Sequence, residues 1–313
     1  MAIITTSNFP KMLWPGLNAI YGKTYNEYST EYTDLFDSFS SKRAYEEDMG
    51  VSGFGLATVK NQGDSITYDT ASQAYLTRYK HLTYGLGFII TREAFEDDQY
   101  DVVGAKGARA LASSIRQTKE VVGAGIYNTA STGTTKGGDG FNLLASAHPS
   151  FAGGVAQSNI NTTTFCEAAL ETAMIKISRF TDDRGLLIAA MAQSLIIPPE
   201  LEYEANRTLK TEYRVGNFAT GAQTVLGAGL NDINAVKMMG RLPGGIKINH
   251  YLTNSAAWFL RTNVKDGMKC FNRRADEFAM DNDFDTENGK YKATSRYSFG
   301  WSDWRSIYGS SST

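Results

Sequence analysis

Ala108, Leu111, Ala112, Ile115, Val122 and Ile126 recur at spacings of three, four or their sum. That period makes one apolar stripe and predicts an amphipathic helix. The helix is expected to run from Thr91 to about Ala130. Thr91 is a suitable N-cap, and Glu93, Glu96, Asp97, Asp98 and Asp101 place negative charge at the positive end of its dipole. Lys106, Arg109, Arg116 and Lys119 follow. Roughly 35 residues at 1.5 Å each give a rod of roughly 50 Å, long for a globular helix. Gly104, Gly107, Gly123 and Gly125 interrupt it, each at a cost of about 1 kcal/mol against Ala. They predict bends or close approach to a neighbour; the plainer reading is a core helix with weak spots.

The pattern on either side is different. Leu13, Trp14, Leu17, Ile20 and Tyr21 have helical spacing around Pro15 and Gly16, and Leu35, Phe36 and Phe39 form a second small cluster. Neither folds alone, so residues 1 to about 45 read as an arm that orders against something else, or as an extension packed on its own domain. From Gly50 to Tyr84 the pattern is of strands: Phe54, Leu56 and Thr58 alternate, Asn61-Gln62-Gly63-Asp64 turns the chain, and Ile66, Tyr68, Tyr75, Thr77 and Tyr79 return. A long, poorly buried hairpin is marginal in water and its edges invite pairing with another chain. It lies either on its own domain or on a neighbouring subunit. Leu86–Ile90 is a strand that feeds the helix.

After the helix, Ser131 to Gly140 is a Gly/Thr-rich loop, and Phe141–Pro149 (FNLLASAHP) is expected to be a strand ended by His148-Pro149. Thr164-Phe165-Cys166-Glu167 fits a capping box opening a helix to about Arg179. LLIAAM and SLIIPP (residues 186–191 and 194–199) read as buried strands, and Pro199 opens a further helix. Residues 211–240 read as a flexible loop with short pieces of structure, then Ile246–Leu252 and Ala257–Leu260 as strands: a small mixed α/β unit. Beyond Phe271 strands return, with Asn288-Gly289 as a hairpin turn and Tyr297, Phe299, Trp301 and Trp304 on closing strands.

Composition narrows the function. The chain has 313 residues, 42% hydrophobic and 20% charged, enough for a sizeable core in one or two domains. A net charge of −2 argues against a dominant nucleic-acid-binding surface. Cys166 and Cys270 have no metal or redox spacing and suit buried thiols in a reducing compartment. MAIITTSNFP has no basic region of a signal peptide. Leu186–Ile197 is too short to span a membrane.

Motifs of catalysis fail in turn. Asp281-Asn282-Asp283-Phe284-Asp285 begins like a calcium loop, but Thr286 stands where Gly is needed and Lys292 where a bidentate Glu is needed. Gly133–Gly137 lacks the ending of a phosphate-binding loop. His81, His148 and His250 are scattered; His148 before Pro149 suits a strand-end hydrogen bond better than a ligand. Cys166 has no nearby histidine in sequence. An α/β enzyme using Cys166 or His148 is therefore a minor alternative, and no catalytic residue, metal or cofactor is expected.

The order of parts carries a resemblance. Asn61–Asp64 with Ile66-Thr67-Tyr68-Asp69, then Leu82–Phe88, then Ile90-Thr91-Arg92-Glu93 and Asp97-Asp98 resemble the tailed-phage major capsid proteins of the Hong Kong 97-type fold, and within them the Mu-like major head group. Leu143–Pro149, Leu195–Leu201, Trp258–Leu260, Tyr291-Lys292-Ala293, Arg296 and Gly300 resemble later parts of the same family.

That resemblance implies an α+β fold: an N-terminal arm (1–49), an extended E-loop (50–85), a peripheral (P) domain with a long spine helix (86–139), an axial (A) domain (140–265), and C-terminal strands returning to the P domain (266–313). It implies a non-enzymatic shell protein. Its partners would be copies of itself in hexamers and pentamers, a portal, decoration proteins, and double-stranded DNA on the inner surface, with no membrane. Met1 leaves no room for a scaffolding segment, so a separate scaffolding protein, or none, is expected. The candidate inter-subunit contact is the E-loop tip: Lys60, Asn61, Gln62, Gly63 and Asp64. Some relatives cross-link a loop lysine; Lys60 lies near the tip, but no partner Asn or catalytic Glu matches. The main alternative is an encapsulin-like compartment shell enclosing cargo enzymes.

Overall fold

The computed structural model describes residues 10–27, 29–91, 93, 100–212, 233–283 and 288–310, and only the backbone of 10–17, 100–103 and 282. The predicted long helix is α3, Tyr100–Asn128, which follows α1 (Pro10–Tyr25) and α2 (Tyr32–Leu35). Thr91 is non-helical, as an N-cap is, and Glu93 is helical; residues 94–99, needed to join this turn to α3 as the single helix expected, lie outside the described residues. Ala108, Leu111, Ala112 and Ile115 are buried as the stripe requires, while Val122 and Ile126 are half-buried. The stripe continues instead through Ala124 and Tyr127. The glycines serve close approach. A Cβ at Gly107 would lie 3.0 Å from the Phe88 ring, and one at Gly123 3.5 Å from that of Phe299.

One four-stranded sheet lies along α3. Its order is β1 (Asp37–Ser40), β9 (Met268–Asn282), β10 (Gly289–Trp301), β4 (Leu82–Ile90), with β1 parallel to β9 and the other pairs antiparallel. Along β10 the side chains alternate. Tyr291, Ala293 and Tyr297 are buried while Lys290 and Lys292 are exposed. The buried face packs Phe278, Tyr291 and Ala293 on Ala108, Leu111, Ala112 and Ile115. Aromatic rings run across it, Phe88 on Tyr291 (4.8 Å), Tyr291 on Phe278 (6.2 Å) and Phe278 on Tyr21 (5.1 Å). Tyr21 belongs to α1, so the described part of the arm packs on its own chain. Leu35 and Phe36 are buried too, whereas Phe39 is exposed. Glu120 of α3 fastens the arm by accepting the backbone N–H groups of Glu31 (3.0 Å) and Tyr32 (2.8 Å). Burial pushes the Glu120 carboxyl above its ordinary pKa.

The second sheet has the order β5 (Ile160–Asn161), β11 (Ile307–Ser310), β8 (Trp258–Thr262), β6 (Ala192–Ile197), β7 (Ile246–Ile248). It is covered on both faces, which explains its near-continuous apolar strands. Leu195, Ile197, Trp258, Leu260 and Tyr308 pack on α4 (Glu167–Ser178). Ile196, Phe259 and Ile307 face Leu35, Phe36, Leu143, Leu144 and Tyr127, tying this sheet to the end of α3. The last strand of the chain thus joins the second sheet, not the first.

Local expectations are corrected at several points. FNLLASAHP is not a strand: its groups bond to scattered partners, Leu144 N–H to Ala130 O (2.9 Å) and His148 N–H to Gln157 O (2.7 Å). LLIAAM is not a strand either. Ala189 has φ 53, and Leu187, Ile188 and Met191 are exposed. The cap of α4 is Cys166, whose Sγ accepts Ala169 N–H, rather than Thr164. Pro199 opens a 3-10 turn that leads into α5 (Glu202–Lys210). The 211–240 segment does hold a short piece of structure as expected, the helix α6 (Ala235–Met238), and residues 213–232 lie outside the described residues. Asn288-Gly289 is not the apex of its hairpin, because Asn282 pairs with Gly289 and the connection spans 283–288.

Candidate inter-subunit site: the long loop and its root

β2 (Tyr45–Val51) pairs antiparallel with β3 (Gln73–Lys80). The strands begin five residues before the sequence suggested, and end where the predicted hairpin should continue. Between Ser52 and Ser72 no ladder forms, although the two arms stay together through side chains. Ser52 and Ser72 exchange several bonds (N–H to O 2.9 Å, Oγ to Oγ 2.9 Å). Further out, Asp69 Oδ2 accepts Gly55 N–H (2.8 Å), and Thr58 Oγ1 meets Thr67 Oγ1 at 3.2 Å. The Gly55 and Thr70 N–H groups hold the Asp69 carboxyl below its ordinary pKa.

All five residues singled out at the tip come together. Asp64 N–H donates to Asn61 O (3.2 Å), and Gly63 takes φ 92, a region glycine enters without strain. Lys60, Asn61, Gln62, Gly63 and Asp64 are all exposed. Around them Phe54, Leu56, Val59, Ile66 and Tyr68 are exposed, Val59 and Tyr68 at 91%. Five large apolar side chains in solvent on one loop form an exposed apolar surface of the kind that marks interaction sites.

The root of the loop is held firmly. Lys269 of β9 bonds Asp48 of β2 and, at 2.8 Å, Asp266. Ser302 Oγ also donates to Asp48 Oδ2, and its oxygen meets Tyr79 OH at 2.5 Å. Burial pushes Asp48 up, but the bonds from Lys269 and Ser302 prevail and leave its carboxyl below the ordinary range. Burial likewise opposes the charge on Lys269, yet Asp266 and Asp48 hold its pKa above the ordinary value. Gly138 and Gly300 permit close packing: a Cβ at either would stand 2.8 Å from Thr77 Oγ1 or from Tyr79 Cε1.

Beside the root sits a buried polar junction that the sequence did not reveal. Asn159 Nδ2 donates to Leu143 O (2.7 Å), Trp304 O (3.2 Å) and Ile307 O (3.0 Å), while its Oδ1 accepts Ala145 N–H (3.0 Å). His148, one of the residues weighed for catalysis, is absorbed here. Its Nε2 lies 3.1 Å from Asn159 Oδ1, its Nδ1 2.6 Å from Asp139 Oδ2, and its ring stacks on Trp304 at 4.2 Å. Because Asn159 Oδ1 can only accept, His148 Nε2 is the donor in that bond. Cys166 serves as a helix cap, and Cys270 is buried, with burial pushing its thiol up to about 11. Among the described residues no cluster of His, Cys, Asp or Glu is arranged to hold a metal ion, and no helix is long and apolar enough to cross a membrane.

Comparison with known proteins gives this geometry a family. The family model for phage capsid protein matches residues 74–310, most of the chain. Solved structures share the fold at low identity. A capsid of a native GTA particle has TM-score 0.56 at 11% identity over 92% of this chain and 89% of that one. A virus-like particle from Pyrococcus furiosus has TM-score 0.51 at 12% identity over 94% and 97%, and the procapsid of bacteriophage JBD30 has TM-score 0.50 at 12% over 99% and 77%. No curated protein matches in sequence. The chain has the Hong Kong 97-type fold, it belongs to the phage capsid protein family, and its role is that of a major capsid protein.

Proposed function

We propose that this protein assembles through its long loop into a closed icosahedral shell of hexamers and pentamers around a double-stranded DNA genome. The observation that carries the reading is the exposed apolar loop, residues 52–72, on a rigid root. Among the described residues nothing covers Phe54, Leu56, Val59, Ile66 and Tyr68, so a neighbouring copy is the natural cover. The tip residues Lys60, Asn61, Gln62, Gly63 and Asp64 would make the outermost contacts. Individually modest contacts gain strength through multivalency, and heterologous contacts that close on themselves give shells rather than filaments.

The segments that resemble the Mu-like major head group support placing the chain in that group. A portal, a scaffolding protein and decoration proteins are the further partners that the reading implies, with synthesis in the host cytoplasm. The family match favours a genome over enzyme cargo; an operon carrying a cargo enzyme in place of portal and terminase genes would favour the compartment. Deleting residues 58–68 tests the loop. The variant subunit should fold and fail to close shells, and normal particles from it would remove the loop from assembly.

A further inference from the structure

Among the described residues the loop is tied to the rest of the subunit at one point beyond its root. Arg184 lies in a tight turn of the second unit: its own N–H and that of Leu186 both donate to Asp182 Oδ1 (2.9 and 2.8 Å), and Gly185 takes φ 84. From this turn the guanidinium reaches across to the loop. Nη2 donates to Thr70 O at 2.6 Å and stands 3.7 Å from Asp69 Oδ1. Asp69 is the same residue whose other oxygen binds Gly55 N–H on the opposite arm of the loop. One carboxylate therefore closes the loop and anchors it. Outward of this knot, residues 56–68 make no hydrogen bond or ion pair to other described residues of the subunit; their bonds run only between one another, at Thr58–Thr67 and Asn61–Asp64.

We propose that the Arg184–Asp69–Thr70 contact is a strap that sets the direction in which the distal loop leaves its own subunit. This rests on the loop being the inter-subunit contact. The strap joins the loop to the unit that carries β6–β8, so the angle at which a neighbour is met depends on that unit as well as on the root. An exposed ion pair is weak in itself. It acts here on a segment with no backbone ladder between Ser52 and Ser72, where a small energy is a large share of what orders the chain.

The test uses full-length protein carrying Arg184→Ala, Arg184→Lys or Asp69→Asn. Limited proteolysis of unassembled subunits reads the loop, and electron microscopy reads particle diameter. Arg184→Ala should raise cleavage within 53–72 by about two- to five-fold, the scale of a lost surface ion pair. Its shells should spread over several diameters, and Arg184→Lys should restore both readouts in part. If Arg184→Ala fails to fold, Asp69→Asn removes the charge while its side-chain oxygen still accepts Gly55 N–H. Unchanged cleavage overturns the strap, and faster cleavage with uniform diameters overturns its directing role. Normal shells from the 58–68 deletion would instead overturn the loop reading beneath it.

Discussion

The loop at 52–72 and the junction around Asn159 lie close together in the fold and are built on opposite terms. At the junction, one buried side chain serves three carbonyls and an amide from two distant stretches of chain, 143–145 and 304–307. In the loop, large apolar groups stand in water and the backbone is joined by a few side-chain bonds. The first arrangement is complete within one subunit; the second, on the function proposed above, is completed by a neighbour. A chain of this family has to fold by itself and still leave surface unsatisfied for assembly, and it separates the two tasks by region.

Substitutions on the two sides should therefore differ in what they damage. The largest effect on folding is expected at Trp258, fully buried against Phe165 and Tyr308. Trp258→Ala should destabilise the subunit by about 3–5 kcal/mol in urea denaturation. Asn159→Ala should cost about 1–3 kcal/mol for each buried group left unpaired, measured the same way. In the loop, Leu56→Ser and Tyr68→Ser should change subunit stability by less than about 0.5 kcal/mol and yet reduce shell yield. A large loss of stability from either would erase the contrast.

Smaller effects sharpen it at the root. Asp48 is held below its ordinary pKa, so its stabilisation is complete above the unfolded carboxylate value and is lost as pH falls through the lowered folded value. Lys269 is held above its ordinary pKa, so its contribution is complete below the unfolded lysine value and is lost as pH rises through the raised one. Hydrogen exchange at β2 and β3 should accordingly stay slow across the neutral range and quicken only at the acid and alkaline ends. Cys270, with its thiol pushed up to about 11, should resist alkylation at pH 8 in the folded subunit while exposed Cys166 reacts. Equal labelling of the two would show that the core around Cys270 is open.

Periodicity made the long helix and the β6 strand legible in the sequence, and turn residues marked the loop tip, because each depends on neighbours close along the chain; the alternation at Phe54–Thr58 and Ile66–Tyr68 forms no ladder. The same reasoning misread LLIAAM and FNLLASAHP as strands, since an apolar run does not reveal whether a ladder partner lies beside it. Ala189 breaks the first and Asn159 supplies side-chain bonds to the second. The root and junction were invisible for a related reason. Lys269 reaches Asp48 across 221 positions and Arg184 reaches Thr70 across 114, distances over which spacing carries no signal. The arm's own packing was legible only as an alternative, because Tyr21 meets Phe278 through a ring contact that no local pattern announces.

The most direct measurement is negative-stain electron microscopy of the purified full-length protein after size-exclusion chromatography. The account predicts closed shells, or rings of five and six subunits, from the intact chain. A monomer at every concentration, with and without a co-expressed scaffolding protein, would contradict it.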